Sequence, residues 1–118
     1  MYGAIIGDIV GSKYEFNNIK TKDFPFVSQG CKFTDDTVMT VAVARAILRS
    51  REKNTPFKPN LIREMQDLGR KYPNSGYGGR FSSWLYEEDP QPYNSYGNGS
   101  AMRVSLCGLI AVTLDETV

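Results

Sequence analysis

Phe33-Thr34-Asp35-Asp36-Thr37-Val38-Met39-Thr40 is the stretch that decides the fold. Thr34 is a good N-cap, and Asp35 and Asp36 suit the positive end of a helix dipole. Behind them Val38, Met39, Val41, Ala42, Val43, Ala44, Ala46, Ile47 and Leu48 leave almost no polar face apart from Arg45 and Arg49. The pattern predicts a helix from Thr34 to about Ser50. A helix apolar nearly all round belongs at the centre of a domain. Arg49, Arg51 and Lys53 suit its C-terminal end.

Before this helix, Gly3, Gly7 and Gly11 recur every fourth residue among Ala4, Ile5, Ile6, Ile9 and Val10. On a helix the glycines share one face. Glycine weakens an exposed helix by about 1 kcal/mol relative to alanine, so the stripe predicts a close helix neighbour. A buried strand from Ala4 to Val10 is the competing reading. Asp8, inside this apolar element, should be paired, capping or exposed on one face. Lys13 to Gly30 lacks periodicity and reads as a long loop, a common place for function.

After the central helix, Asn54-Thr55-Pro56 breaks the chain. Pro59 opens a second helix, Asn60 to Tyr72, with Leu61, Ile62, Met65 and Leu68 at amphipathic spacing and Gly69 and Pro73 near its end. Pro73 to Gly79 is a loop. Arg80 to Glu87 reads as a short helix with Phe81, Trp84 and Leu85 on one face, and Asp89 to Asn98 as another loop. The last helix is expected from about Ser100 to Leu114. No strand pairing and no repeat is signalled. The expectation is an all-α fold, an irregular helical bundle whose long loops gather at the helix ends.

Composition excludes several functions. The 118 residues suit one domain with a real core. A net charge of +1 gives no case for nucleic acid or an anionic membrane. No apolar run nears the ~20 residues of a membrane span. Met1 to Gly11 lacks a basic region and carries Asp8, unlike a signal peptide. Cys31 and Cys107 form no CxxC pattern and read as reduced, partly buried thiols, so a cytoplasmic home is expected. Histidine is absent. That removes Ser-His and Cys-His nucleophile pairs and histidine metal ligands. Proton transfer at neutral pH then falls to carboxylates, perturbed lysines, tyrosines or metal-bound water.

Thr34-Asp35-Asp36 has two readings. One is an ordinary capped helix start. The other is an oxygen site for Mg²⁺, Mn²⁺ or Ca²⁺, with further ligands from elsewhere. Glu15 reads as a solvated loop acid or as a partner of those groups. Gly97-Asn98-Gly99-Ser100 is either a turn with Asn98 or Ser100 as cap, or an anion-binding turn with free backbone N–H groups. Tyr77-Gly78-Gly79-Arg80 has the same ambiguity. Trp84, Tyr93 and Tyr96 could stack on a base, with core packing the plainer alternative.

In this order, Gly7-Asp8-Ile9-Val10-Gly11-Ser12-Lys13-Tyr14-Glu15-Phe16, Phe33-Thr34-Asp35-Asp36-Thr37, Tyr77-Gly78-Gly79-Arg80-Phe81 and Gly97-Asn98-Gly99-Ser100-Ala101-Met102-Arg103-Val104 resemble the ADP-ribosylglycohydrolase family. The resemblance runs along the whole chain. It implies an all-α fold with two neighbouring Mg²⁺ or Mn²⁺ ions, and hydrolysis of an ADP-ribosyl bond to a protein side chain or related compound. It makes Thr34, Asp35 and Asp36 metal ligands, and Glu15 and Asp36 the catalytic carboxylates. It makes Gly78, Gly79, Tyr96, Gly97, Asn98, Gly99 and Ser100 substrate contacts. The partner implied is ADP-ribose or an ADP-ribosylated protein.

One departure matters. Family members carry a second acidic Asp-x-Asp-Ser/Thr cluster further on, and Asp115-Glu116-Thr117 is not that cluster. Residues 1–118 are therefore expected to be the N-terminal portion of one helical domain, holding part of a site. A homo-oligomer or a complementing C-terminal chain would complete it. The alternatives are a non-catalytic module that binds ADP-ribose or a partner chain, and an inactive fragment.

Overall fold

A computed structural model describes residues 1–111. Its helices are α1 (Tyr2–Gly11), α2 (Asp35–Lys53), α3 (Phe57–Lys71), α4 (Gly79–Trp84), α5 (Gly99–Met102) and α6 (Ser105–Ile110), with a 3₁₀ turn at Ser12–Tyr14 after α1. No strand occurs among the described residues. The fold is all-α, and the strand alternative for residues 4–10 gives way to a helix.

Helix α2 is the centre. Met39, Ala42 and Ala46 have no exposed surface, and Val38, Val43, Ala44 and Ile47 are buried around them. Val38, Met39 and Ala42 meet Leu68 of α3, with Val41, Met65, Tyr77 and Phe81 packed against the group. Burying such side chains contributes roughly 1.5–3 kcal/mol each. The apolar surround is not complete, because Leu48 remains exposed beside Arg45.

The turn into α3 is sharp and well bonded. Asn54 takes the left-handed conformation (φ 50°) that asparagine tolerates, and its N–H donates to the Ser50 carbonyl. The Asn60 amide donates towards Ser50 Oγ (2.8 Å), Thr55 Oγ1 (2.9 Å) and the Pro56 carbonyl (3.1 Å). Helix α3 starts at Phe57, earlier than the sequence suggests. Pro59 falls inside its first turn, where a missing N–H costs no helical bond. A link this short folds α3 back along α2.

Two charges are buried where these helices meet. Glu64 has no exposed surface, and Arg45 Nε and Arg49 Nη2 of α2 lie 2.9 Å from its two oxygens. Both contacts are short but lie off the line of a good hydrogen bond, so the attachment is chiefly ionic.

Helix α4 rests on α3 where Gly69 makes room. A Cβ there would lie 2.4 Å from Leu85 Cδ2, and Leu85 is itself buried. Gln66 donates to the Trp84 and Glu87 carbonyls, and Arg70 Nε donates to the Leu85 carbonyl at 2.6 Å. Side chains of α3 thus satisfy the carbonyls that the end of α4 leaves open. Trp84 stacks on Phe81 and donates Nε1–H to the Gln91 carbonyl, so it is a core residue.

Two expectations need correction. No atom outside α1 comes within 4 Å of where a Cβ would sit on Gly3, Gly7 or Gly11, so among the described residues no helix is seated on that stripe. The single helix expected from Ser100 is broken after Met102 and restarts at Ser105. The Arg103 side chain donates Nε–H to the Gly99 carbonyl, the acceptor a continuing helix would offer to the backbone N–H of Arg103. The rest of that helix, to Leu114, and the Asp115-Glu116-Thr117 segment lie outside the described residues.

Candidate functional site

Helix α2 presents two acids at its first turn, and α1 fixes where they stand. Thr34 is the N-cap: its backbone is extended and its Oγ1 accepts from the Asp36 N–H at 3.3 Å. The Asp8 carboxylate reaches across from α1. It accepts from Thr34 N (2.8 Å) and Thr37 N (3.2 Å), and from the hydroxyls of both threonines. One carboxylate therefore takes four donors at the open end of α2, where the helix leaves N–H groups unpaired and the dipole favours negative charge. Asp8 is a capping residue supplied by another helix.

A second brace comes from the loop after α3. The Asp35 N–H donates to the Ser75 carbonyl at 2.7 Å. Ser75 is buried, and its own hydroxyl donates to the Tyr72 carbonyl. Gly76 follows with φ +97°, a conformation glycine adopts freely, and Asp35 Oδ1 lies 3.7 Å from where its Cβ would be. This turn leads to Tyr77, which packs on the α2–α3 core. The Tyr77 hydroxyl is buried without a formed hydrogen bond. Burial raises its pKa, with Ser75 pulling down and Asp35 pushing up.

The acids are poorly compensated. Burial, then the neighbouring Asp36 charge, pushes Asp35 up from 3.8 to about 6. Burial also raises Asp36, with Asp8 and Glu15 adding to it. Arg103 opposes both shifts. Its guanidinium lies 5.0 Å over the Phe81 ring, a favourable place for a cation. Glu15, just past the 3₁₀ turn, is exposed. Its charge adds to the upward shift at both aspartates.

The glycine-rich turns lie around this group unequally. Gly78 caps α4 and Gly79 begins it; both are exposed, with open space where a Cβ would be. Gly97, Asn98 and Ser100 are exposed, and the Asn98 carbonyl accepts from the Ala101 N–H at 2.8 Å. The Asn98 side chain caps nothing. Gly99 is half-buried, and a Cβ there would lie 2.6 Å from Arg103 Nη2. Arg103 thus ties this turn to Phe81. Tyr96 stands wholly in solvent. Tyr93 is half-buried, 5.0 Å beneath the Arg80 guanidinium.

The donors suit a hard cation in kind. Hydroxyl and carboxylate oxygens are the ligands Mg²⁺, Mn²⁺ and Ca²⁺ take. Thr34 Oγ1 gives its proton to Asp8 and one lone pair to Asp36 N–H, which leaves a lone pair for an ion. Two adjacent carboxyls with raised pKa are the groups a divalent charge would relieve. In number the donors fall short. Among the described residues no three acidic or cysteine side chains converge as a metal cage. Asp8 is engaged in the cap through both oxygens, three donors on Oδ2 and one on Oδ1.

Sequence reasoning put Thr34, Asp35, Asp36 and Glu15 forward as site residues and assigned Asp8, Ser75 and Arg103 no place there. Asp8 gave a signal, as an acid inside an apolar helix. Ser75 gave none and Arg103 stood in a family-like motif without a role, since their roles come from one backbone carbonyl and one folded-back side chain.

Residues 1–118 match the family model for ADP-ribosylglycohydrolase. The chain is also similar to ADP-ribosylhydrolase ARH3 of Xenopus tropicalis, at 26% identity over 136 aligned residues. That alignment covers 88% of this chain and 36% of the relative, so the chain spans about a third of the relative's length. No solved structure matches the chain significantly.

Proposed function

Since the chain belongs to the ADP-ribosylglycohydrolase family, we propose that it contributes the N-terminal part of a site that hydrolyses an ADP-ribosyl glycosidic bond in a cation-dependent way. The observation that carries the reading is the Asp35–Asp36 pair. Two carboxyls are set side by side, half-buried and raised in pKa, on a helix end braced by Asp8 and Ser75. A structural cap needs one acceptor, and Asp8 and Thr34 already provide it. The extra acids are a local cost, and a bound cation would offset it.

Thr34 Oγ1, Asp35 and Asp36 would hold Mg²⁺ or Mn²⁺. Such an ion supplies charge stabilisation and a water with lowered pKa. The chain's own residues do the rest. Cleavage of a glycosidic bond develops oxocarbenium character at the ribose carbon, which carboxylates stabilise. Asp36 would supply a negative charge towards that carbon. Glu15, on an exposed segment beside the pair, is free to move a proton between water and the leaving group. The backbone N–H groups of Asn98 to Ser100, with Gly78 and Gly79, offer donors to the diphosphate, while the Gly97 N–H is taken by Ser95 Oγ and Tyr96 offers a face for the base. The substrate is ADP-ribose on a protein side chain or a related ADP-ribosyl compound.

The test is release of ADP-ribose from protein modified on arginine or serine, with Mg²⁺ or Mn²⁺ present. Activity that disappears in Asp36→Asn and in chelator supports the proposal. Full activity of Glu15→Gln would remove Glu15 from proton transfer. The incomplete donor set favours a second reading, a module that binds ADP-ribose without turning it over. Calorimetric binding of ADP-ribose with no release from any modified protein would select it.

A further inference from the structure

Among the described residues, Arg103 is the one cation that opposes the raised pKa of both acids. Three contacts hold it. Its Nε–H is donated to the Gly99 carbonyl, its guanidinium lies 5.0 Å over the Phe81 ring, and Nη2 occupies the space a Cβ on Gly99 would take. Phe81 packs on the Val38–Met39–Ala42 cluster of α2, one turn behind the acids. Helix α5 also touches α2 directly. The charge is thus fixed to the helix that carries Asp35 and Asp36. Burial lowers the pKa of Arg103, and Asp35 ahead of Tyr93, Asp36 and Tyr77 raises it. Arginine stays charged in such a setting. Yet among the described ion pairs, Arg45–Glu64, Arg49–Glu64 and Arg63–Asp67, none includes it. Val38 and Met39 follow Asp35 by three and four residues on one face of α2, so a guanidinium held over the Phe81 ring that packs on their cluster lies on the side of α2 that carries Asp35, and unpaired it leaves the ligand oxygens free.

We propose that Arg103 is the resident counter-ion of the Asp35–Asp36 pair, held in place by Gly99 and Phe81, and that a divalent cation entering between those acids competes with its charge. This rests on the reading of Asp35 and Asp36 as cation ligands. It gives Arg103 a positioning and charge-balancing role, and it gives the glycine at position 99 a reason separate from ligand contact.

Two measurements test it. In calorimetric titration with MnCl₂, Arg103→Gln should bind about three- to tenfold tighter than wild type, since one repelling charge is gone. Arg103→Lys should stay within about twofold of wild type, because the charge persists. Gly99→Ala, whose Cβ displaces Nη2, should move in the direction of Arg103→Gln. Equal or weaker Mn²⁺ binding by Arg103→Gln and Gly99→Ala would overturn the competition.

The second measurement needs no metal. In chelator, Arg103→Gln should lower the melting temperature, and at least half of that loss should vanish in an Asp35→Asn/Asp36→Asn background. An equal loss in both backgrounds would show a packing role alone and overturn the counter-ion assignment. Absence of Mn²⁺ uptake by wild type would sink the cation-ligand reading and the competition with it. The coupling between Arg103 and the acids would then decide the counter-ion assignment alone.

Discussion

Asp8→Ala should unfold the protein far more readily than an exposed acid would. The carboxylate accepts from Thr34 N, Thr34 Oγ1, Thr37 N and Thr37 Oγ1. Bonds to a charged acceptor contribute about 1.5–3 kcal/mol each, but the four share two oxygens and are not additive. The threonine hydroxyls can turn to other partners. Thr34 is buried, at 8% exposure, so its N–H is left unsatisfied at a cost of about 1–3 kcal/mol. Loss of a cap adds about 1 kcal/mol. Against this, the variant removes a negative charge that raises Asp36. A repulsion of that kind, screened by solvent, is about 1 kcal/mol. The bonds therefore win, and the net loss should be about 3 kcal/mol. Asp8→Asn keeps one accepting oxygen and turns an NH₂ towards donors, so it should lose roughly half as much. Urea denaturation followed by far-UV circular dichroism measures both. A loss under about 1 kcal/mol for Asp8→Ala, at unchanged slope, would refute the account of α1 as the brace of the site.

Three other outcomes follow from the same contacts. Gly69→Ala should destabilise by roughly 1–3 kcal/mol despite alanine's better helix propensity, because buried Leu85 has nowhere to move; thermal melting checks it. At the buried ion pair the two sides should be unequal. Glu64→Leu leaves two arginines that are 49% and 27% exposed and can rehydrate, whereas Arg45→Ala/Arg49→Ala strands a fully buried carboxylate and should cost about 3–5 kcal/mol by urea denaturation. The metal-free protein should lose stability as pH rises from about 4 to 7. A carboxyl raised from 3.8 to about 6 favours the fold while protonated, and its contribution is lost through its folded pKa. The full linkage would be about 3 kcal/mol, and solvent screening of a half-buried group brings it nearer 1–2 kcal/mol. Asp35→Asn should flatten that part of the melting-temperature profile.

Much of this protein was legible in one dimension. The apolar run from Val38 to Leu48 allows only a central helix, since a 3.6-residue period with hardly a polar face must be covered on all sides. Thr34, Asp35 and Asp36 announce its start because capping chemistry is local, set by side chains within one turn of the backbone they serve. The absence of histidine confines proton transfer to other groups before any coordinate is known. The order of the four motifs points to the family.

Tertiary structure decided what depends on neighbours distant in the chain. Glu64 looks like one more polar position on an amphipathic helix, and only the packing of α3 on α2 makes it a fully buried charge between two arginines. The glycines of α1 suggest a seated helix, yet stand open among the described residues. Where the last helix breaks, a side chain takes the carbonyl that a continuing helix would offer to the backbone, a contact that propensity cannot register. Asp8, Ser75 and Arg103 reach Asp35 and Asp36 from 27, 40 and 68 positions away along the chain. The sequence by itself determined that α2 begins with two carboxylates. The fold decided how they are braced and which charge opposes them, because desolvation and Coulomb energy depend on distance in space.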